Sequence, residues 1–163
     1  MNSAMAELTE ISRFYGSKKN YVIAGGGNTS WKDEHHLYIK ASGVALATIT
    51  EQGFCILDRK KLAQIPSMSL SADSSEREEQ VKNALLNSRV NPESGLRPSV
   101  ETSLHNLFEY SFVVHTHPTL VNALMCSRDA EVRTFELFGN RVLYVPYSDP
   151  GFVLFTIIRD KIL

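Results

Sequence analysis

Apolar and polar residues follow two periods along this chain, one typical of helices and one typical of short strands. Helices are predicted over residues 4–15, 59–65, 74–89, 119–126, 131–138 and 152–158, the fourth of them as a buried helix. Strands are predicted over residues 21–24, 29–32, 37–40, 53–58, 112–117 and 141–145. Because the polar residues 33–36 separate two of these strands, the pattern also predicts a hairpin there.

Composition restricts the class of protein. The 163 residues, 43% of them hydrophobic and 21% charged, are enough for one domain with a substantial core. The net charge of −1 shows no basic excess, so neither nucleic acid nor a membrane surface is expected as a partner. No stretch has the length of a transmembrane span. Cys55 and Cys126 are isolated cysteines, which predicts reduced thiols and a cytoplasmic protein.

The most informative stretch is the predicted strand that ends in two histidines and Pro118. Alternate residues of a strand point to the same face, so His115 and His117 should project together. Two neutral imidazoles at this spacing can converge on one metal ion at about 2.0–2.1 Å each. The competing interpretation is that two neighbouring histidines are a coincidence. The adjacent His35 and His36 fall on the predicted hairpin turn and are not expected to bind a metal.

A run of three glycines and three polar residues occupies positions 25–30. Glycines let backbone N–H groups approach an anion closely, and Asn28, Thr29 and Ser30 would add side-chain donors. The run matches neither a P-loop nor a dinucleotide-binding motif, so a flexible start of the hairpin is the alternative. Ser42 and Gly43 end the next strand with small residues, which again suits close approach to a ligand.

A second informative stretch begins at Arg97. Ser99 is predicted to be the N-cap of a helix, which would place Glu101 in its first turn. Glu101 would then either interact with the helix dipole or face the metal as a ligand or general base. His105 lies one turn further along the same helix face and is expected to play a structural role or to support a metal ligand.

Taken in order, the motifs GGGNTS, KASG, RPSVETSLH, VVHTHP and VPYSDPGF resemble the class II aldolase/adducin family over nearly the whole chain. The resemblance implies an α/β protein with three layers (α/β/α) and a central, mainly antiparallel mixed sheet, as one domain over residues 1–163. It also implies a homo-oligomer, by analogy a tetramer, whose small-molecule substrate is a sugar or sugar phosphate.

The resemblance assigns roles to particular residues. It implies a catalytic Zn²⁺ held by three histidines, two of which are here His115 and His117, and it makes Glu101 the catalytic acid/base. The substrate phosphate would be bound by Gly27, Asn28, Ser42, Gly43 and Ser99. The family often has a second serine just before the glutamate, whereas this chain has Val100, so one phosphate donor is missing.

The implied activity is that of a metal-dependent aldolase-type lyase, which cleaves its substrate by retro-aldol chemistry through a zinc-stabilised enediolate. An epimerase on the same scaffold and a non-catalytic, adducin-like interaction domain are the alternatives. Residues 118–163 contain no histidine, so the family's third zinc histidine is missing here. We therefore expect zinc to be bound weakly or substoichiometrically, in a chain that is an N-terminal fragment, a natural truncation or a member without catalysis.

Overall fold

A four-stranded antiparallel sheet forms the middle layer of the protein. The structure is a computed structural model and describes residues 3–163. The strands have the spatial order β3-β2-β1-β4. Their bounds are Asn28–Lys32 (β1), His36–Lys40 (β2), Phe54–Asp58 (β3) and Phe112–His115 (β4). The predicted hairpin is β1–β2, and its turn is fixed by Asp33, whose Oδ1 accepts the N–H groups of His35 and His36 at 2.8 and 2.7 Å.

Residues 3–163 contain seven α-helices besides this sheet. They are Ser3–Gly16 (α1), Arg59–Leu62 (α2), Ser74–Asn87 (α3), Thr102–Leu107 (α4), Thr119–Met125 (α5), Ala130–Phe138 (α6) and Phe152–Ile162 (α7). Aspartates cap two of them: Asp58 accepts the N–H of Lys60 at 2.8 Å, and Asp73 accepts the N–H of Glu76 at 2.9 Å. The predicted helix over residues 59–65 ends early and is followed by a short 3₁₀ turn, Ile65–Ser67.

Alternation along the strands separates the two outer layers. Leu37 and Ile39 of β2 are fully buried against α2 and α3, together with residues of β3. Tyr38, between them, points to the opposite face with Trp31, where α1 packs. Helices therefore cover both faces of the sheet, and the predicted three-layer α/β/α architecture is confirmed.

Two predicted strands are wrong. Residues 21–24 form a turn, in which Ala24 has a φ of +53° and Ile23 is exposed. The carbonyl of Tyr21 accepts one hydrogen bond, from the N–H of His117 at 2.9 Å, but no ladder forms. Residues 141–145 follow a 3₁₀ turn as an irregular segment. A hydrophobic run becomes a strand only beside a partner strand, and neither run has one among the described residues.

Two helix predictions also need correction. The predicted buried helix is α5, but it lies at the surface, with Leu120 86% exposed. Helix α4 begins at Thr102, so Ser99 is not its N-cap and Glu101 precedes its first turn. The Ser99 hydroxyl instead accepts the N–H of Glu101 at 3.3 Å.

Both cysteines are free, and none of the helices in residues 3–163 has the length and apolar character needed to cross a bilayer.

Replacing Ile39 tests the core. Ile39→Ala removes buried methyl groups at the centre of the sheet and should lower the free energy of unfolding by about 2–5 kcal/mol in urea titrations. Ile23→Ala, at a side chain that is 65% exposed, is the matched control and should change it by less than about 0.5 kcal/mol. Equal effects of the two substitutions would contradict this description of the core.

Candidate active site

The pairing of β1 with β4 brings the candidate residues together. Asn28 at the start of β1 lies directly opposite His115 at the end of β4. Residues opposite each other in a sheet project from the same face, so the amide and the imidazole share one side of the sheet. His117 lies two residues beyond the strand, where its N–H is bound by the Tyr21 carbonyl at 2.9 Å.

His115 and His117 converge as expected, but the predicted strand over residues 112–117 ends at His115, so only the first of them lies in a strand. Their Nε2 atoms are 2.9 Å apart and their ring centroids are 4.7 Å apart. Burial and the neighbouring His115 lower the pKa of His117, against the opposing effect of Glu101. A lowered pKa favours the neutral imidazole, which is the form that binds metals.

Glu101 lies against this pair. Its Oε2 is 3.0 Å from Nδ1 of His115 and accepts a hydrogen bond from Nδ2 of Asn28 at 2.6 Å. Burial acts to raise the pKa of Glu101, but His115, the Asn28 amide and His105 together outweigh it and lower that pKa. The carboxylate is therefore ionised and 14% exposed beside the histidines.

One cavity joins these groups to the predicted anion-binding residues. Its volume is about 260 Å³, and its walls include Glu101 and both histidines. The same walls contain all five residues expected to bind phosphate, which are Gly27, Asn28, Ser42, Gly43 and Ser99. Asn28 links the two groups, because its Nδ2 also donates to the Ser99 hydroxyl at 3.2 Å. The predicted catalytic, metal and phosphate residues thus lie in one place.

The glycines allow the loop to pass close to β4. Gly27 has a φ of +73°, and a Cβ there would lie 2.6 Å from the carbonyl oxygen of His115. A Cβ on Gly26 would lie 3.3 Å from Nδ1 of His117. Side chains at these positions would push the loop away from the histidines, so here the glycines serve close packing against the site.

Two predicted anion donors are used elsewhere. Thr29 and Ser30 are fully buried in β1 rather than exposed in the loop. The Thr29 hydroxyl bonds the Ser12 hydroxyl at 2.6 Å, and the Ser30 hydroxyl lies 2.7 Å from Nδ1 of His105. Both residues belong to β1, and because successive side chains of a strand point to opposite faces, the two hydroxyls point into the layers on either side of the sheet.

Lys40 is a cavity residue that our sequence reasoning missed. It is 5% exposed and lines the same cavity, with its Nζ donating to the carbonyl of Val44 at 2.8 Å. Burial lowers the pKa of Lys40, against the opposing charge of Glu101. Its place in the KASG motif, two residues before Ser42, was the signal that could have identified it.

The residues fit a zinc ion as part of a ligand set. Two Nε2 atoms 2.9 Å apart can each lie about 2.0–2.1 Å from one ion. Nδ1 of His115 is buried beside Glu101, and a carboxylate at the second nitrogen of a ligating histidine is the usual support for metal binding. Within residues 3–163, however, no three His, Cys, Asp or Glu side chains are grouped as a metal site.

Comparison with known proteins identifies the family. The model of the Class II Aldolase and Adducin N-terminal domain matches residues 6–162. The chain belongs to the class II aldolase/adducin family.

This chain is similar to parts of two longer curated proteins. It is 32% identical to the uncharacterized oxidoreductase YuxG of Bacillus subtilis (strain 168), over 96% of this chain and 23% of that protein. A 40-residue stretch is 40% identical to an L-fuculose phosphate aldolase of Methanococcus maripaludis (strain C7), covering 24% of this chain and 22% of the aldolase. The chain thus aligns with less than a quarter of the length of either protein.

Solved structures agree with the three-layer fold. The N-terminal class II aldolase domain of a conserved protein from Thermoplasma acidophilum has a TM-score of 0.84 at 30% identity, over 99% of this chain and 76% of that chain. L-fuculose-1-phosphate aldolase from Thermus thermophilus has a TM-score of 0.54 at 15% identity, over 98% and 70%. The second similarity shows the fold alone.

His105 should make the stability of this aldolase-family domain sensitive to acid. Burial, His115 and Lys32 lower its pKa from 6.5 to about 3, against the opposing charge of Glu101. Between these values the unfolded chain binds a proton that the folded chain does not, so stability falls as the pH falls. From pH 7 to pH 5 this one group should cost about 2 kcal/mol.

Urea unfolding at the two pH values measures this loss. His105→Asn should remove that part of the loss, because asparagine does not titrate. His35→Asn, on the exposed hairpin turn, is the control and should keep it. An unchanged pH dependence in His105→Asn would show that the buried imidazole does not cause the acid sensitivity.

Proposed function

We propose that the protein is a metal-dependent aldolase-type lyase that cleaves a sugar phosphate by a retro-aldol reaction. The observation that supports this best is the convergence of the His115 and His117 Nε2 atoms at 2.9 Å, with Glu101 on the first imidazole. The polar cavity beside them gives the substrate a place to bind. The 40-residue stretch that is similar to an L-fuculose phosphate aldolase agrees with this class of reaction.

In this proposal each residue has a distinct task. His115 and His117 hold zinc, which when bound supplies Lewis-acid stabilisation of the charge left by carbon–carbon cleavage next to a carbonyl. Glu101 accepts and returns the proton, since its carboxylate is ionised and lies in the same cavity. Asn28 holds that carboxylate by a hydrogen bond of 2.6 Å, so the base is positioned before the substrate binds.

The substrate phosphate lies among Gly27, Asn28, Ser42, Gly43 and Ser99. Lys40 adds a positive charge to this part of the cavity, and within residues 3–163 it has no carboxylate partner at ion-pair distance. A buried ammonium that contacts no carboxylate directly favours an anionic ligand. Binding the phosphate at a distance from the reacting carbon orients the substrate.

Two other functions use the same features. An epimerase needs the same metal and proton chemistry. A non-catalytic interaction domain is favoured by the presence of two converging histidines rather than three in the described part of the chain. Product analysis separates these functions, because cleavage yields two smaller carbonyl compounds and epimerisation yields one isomer.

We also propose self-association through the α5–α6 face. This face consists of exposed apolar residues on the two helices and the segment after them that line two adjoining grooves, namely Val121, Val132, Phe135, Val142 and Leu143. Helix α5 starts at Thr119, directly after the histidine pair, so a second copy bound here would lie beside the site. Glu131, Arg133 and Glu136 mix both charges on α6, which suits contact between identical copies.

Three substitutions test the chemistry. His115→Ala should lower zinc affinity by at least about 10–100-fold, because a direct ligand is lost. Glu101→Gln should retain more of the zinc but lower turnover of L-fuculose 1-phosphate or another ketose phosphate by about 10²–10⁴-fold. His35→Ala, at an exposed turn histidine, is the control. The measurements are zinc content by elemental analysis and product formation with zinc supplied.

Zinc content is expected to be substoichiometric even in the unaltered chain. Full zinc in His115→Ala would contradict the metal assignment. If cleavage is absent from the unaltered chain but zinc follows the predicted order among the variants, the lyase proposal fails while the metal site stands.

Light scattering tests the α5–α6 face. The unaltered chain should form a dimer or larger assembly at micromolar concentration, and Phe135→Asp should dissociate it, because the charge would be buried in the contact. Met68→Asp places the same charge at a 40% exposed apolar side chain elsewhere and should leave the assembly intact. A monomeric unaltered chain would contradict self-association.

A further inference from the structure

The polar side chains on one face of β1 all bond Glu101 or the helix α4 that follows it. Asn28, Ser30 and Lys32 alternate along the strand and therefore share a face. Asn28 bonds the Glu101 carboxylate itself. Ser30 and Lys32 do not reach the cavity, and both contact His105, one helical turn beyond Glu101.

His105 is held at two points. The Ser30 hydroxyl lies 2.7 Å from its Nδ1, and Nζ of Lys32 donates to its carbonyl oxygen at 2.6 Å. The N–H of His105 in turn donates to the carbonyl of Glu101 at 3.1 Å. A continuous set of hydrogen bonds thus runs from the middle of β1 through α4 to the backbone of Glu101.

Burying these three polar side chains costs desolvation free energy that packing alone would not require. Ser30 is fully buried, His105 is 1% exposed and Lys32 is 4% exposed. Burial and the charge of Arg59 lower the pKa of Lys32 to about 8, and no carboxylate in residues 3–163 pairs with it. Apolar residues would fill the same space at lower desolvation cost, but they would not fix one orientation of the short helix.

We propose that Ser30, Lys32 and His105 are positioning residues that hold α4 so that Glu101 stays against Nδ1 of His115. The proposal rests on the proposed function in one respect, because it takes Glu101 to be the working carboxylate. The three residues do not line the cavity that contains Glu101 and the two histidines, so they would act through the helix. Their loss should therefore displace the Glu101 carboxylate from its 3.0 Å contact rather than empty the cavity.

The opposite face of β1 supplies a matched control. Thr29 and Ser12 are both fully buried, and their hydroxyls bond each other at 2.6 Å. Ser12→Ala therefore removes a buried hydroxyl contact as short as that of Ser30, on the α1 side and away from Glu101. Ser30→Ala and Ser12→Ala should lower thermal stability to a similar extent.

The two variants should differ in catalysis and in geometry. With zinc supplied, Ser30→Ala should lower kcat by about 10–100-fold with a smaller change in KM, because a misplaced catalytic group costs mainly turnover. Ser12→Ala should leave both constants near those of the unaltered chain. Crystal structures of both variants should show the distance from Glu101 Oε2 to His115 Nδ1 lengthened in Ser30→Ala alone.

Substitutions at His105 add a test by rescue. His105→Leu removes the polar atom that meets Ser30, while His105→Asn keeps a polar group at the position of Nδ1. The asparagine variant should recover much of the turnover lost in the leucine variant. A merely structural role would give both variants turnover in proportion to their stability.

Two results would overturn the proposal. One is equal kinetic constants for Ser30→Ala and Ser12→Ala, and the other is an unchanged distance from Glu101 to His115 in Ser30→Ala. If the unaltered chain has no lyase activity, the proposed function fails on its own, and the measured distances still decide whether β1 positions Glu101.

Discussion

The antiparallel pairing of β1 with β4 is the interaction on which the rest of the site depends. It sets Asn28 opposite His115, so a hydrogen-bonding amide and a metal-binding imidazole share one face of the sheet. Glu101 then accepts a hydrogen bond from Asn28 at 2.6 Å and lies 3.0 Å from Nδ1 of His115. Since backbone hydrogen bonds fix strand register, a slip of one residue would turn either side chain to the opposite layer and separate the three groups.

The same strand has an unusual composition for the interior of a sheet. Asn28, Thr29, Ser30 and Lys32 are all buried, and each bonds a helix or the segment that precedes one. The neighbouring β2 supplies the apolar surface instead, through Leu37 and Ile39. One strand thus provides much of the hydrophobic packing while the next provides directional bonds, and the second arrangement is what a site with a fixed geometry requires.

Much of this architecture was predictable from local signals. The hairpin, the histidine pair and most of the helices follow from side-chain period, and the cavity gathers the eight residues of this chain to which the family resemblance gave a role. The predictions that were wrong concern residues whose conformation or hydrogen bonding depends on partners far along the chain. Residues 21–24 and 141–145 have hydrophobic sequences but no neighbouring strand within residues 3–163. Thr29 and Ser30 bond Ser12 and His105 rather than an anion, which no local pattern could indicate.

The polar side chains of β1 also affect aggregation in states in which β4 is not paired with it. Its two partners differ in distance along the chain, since β2 follows after a tight turn and β4 arrives only after α2, α3 and α4. In any state in which β4 has left the sheet, β1 becomes an edge strand with unpaired backbone groups. An inward-pointing lysine and short polar side chains are features that discourage such an edge from joining another chain. Lys32 and its neighbours would then protect the opened domain from aggregation, at the strand where the site is built.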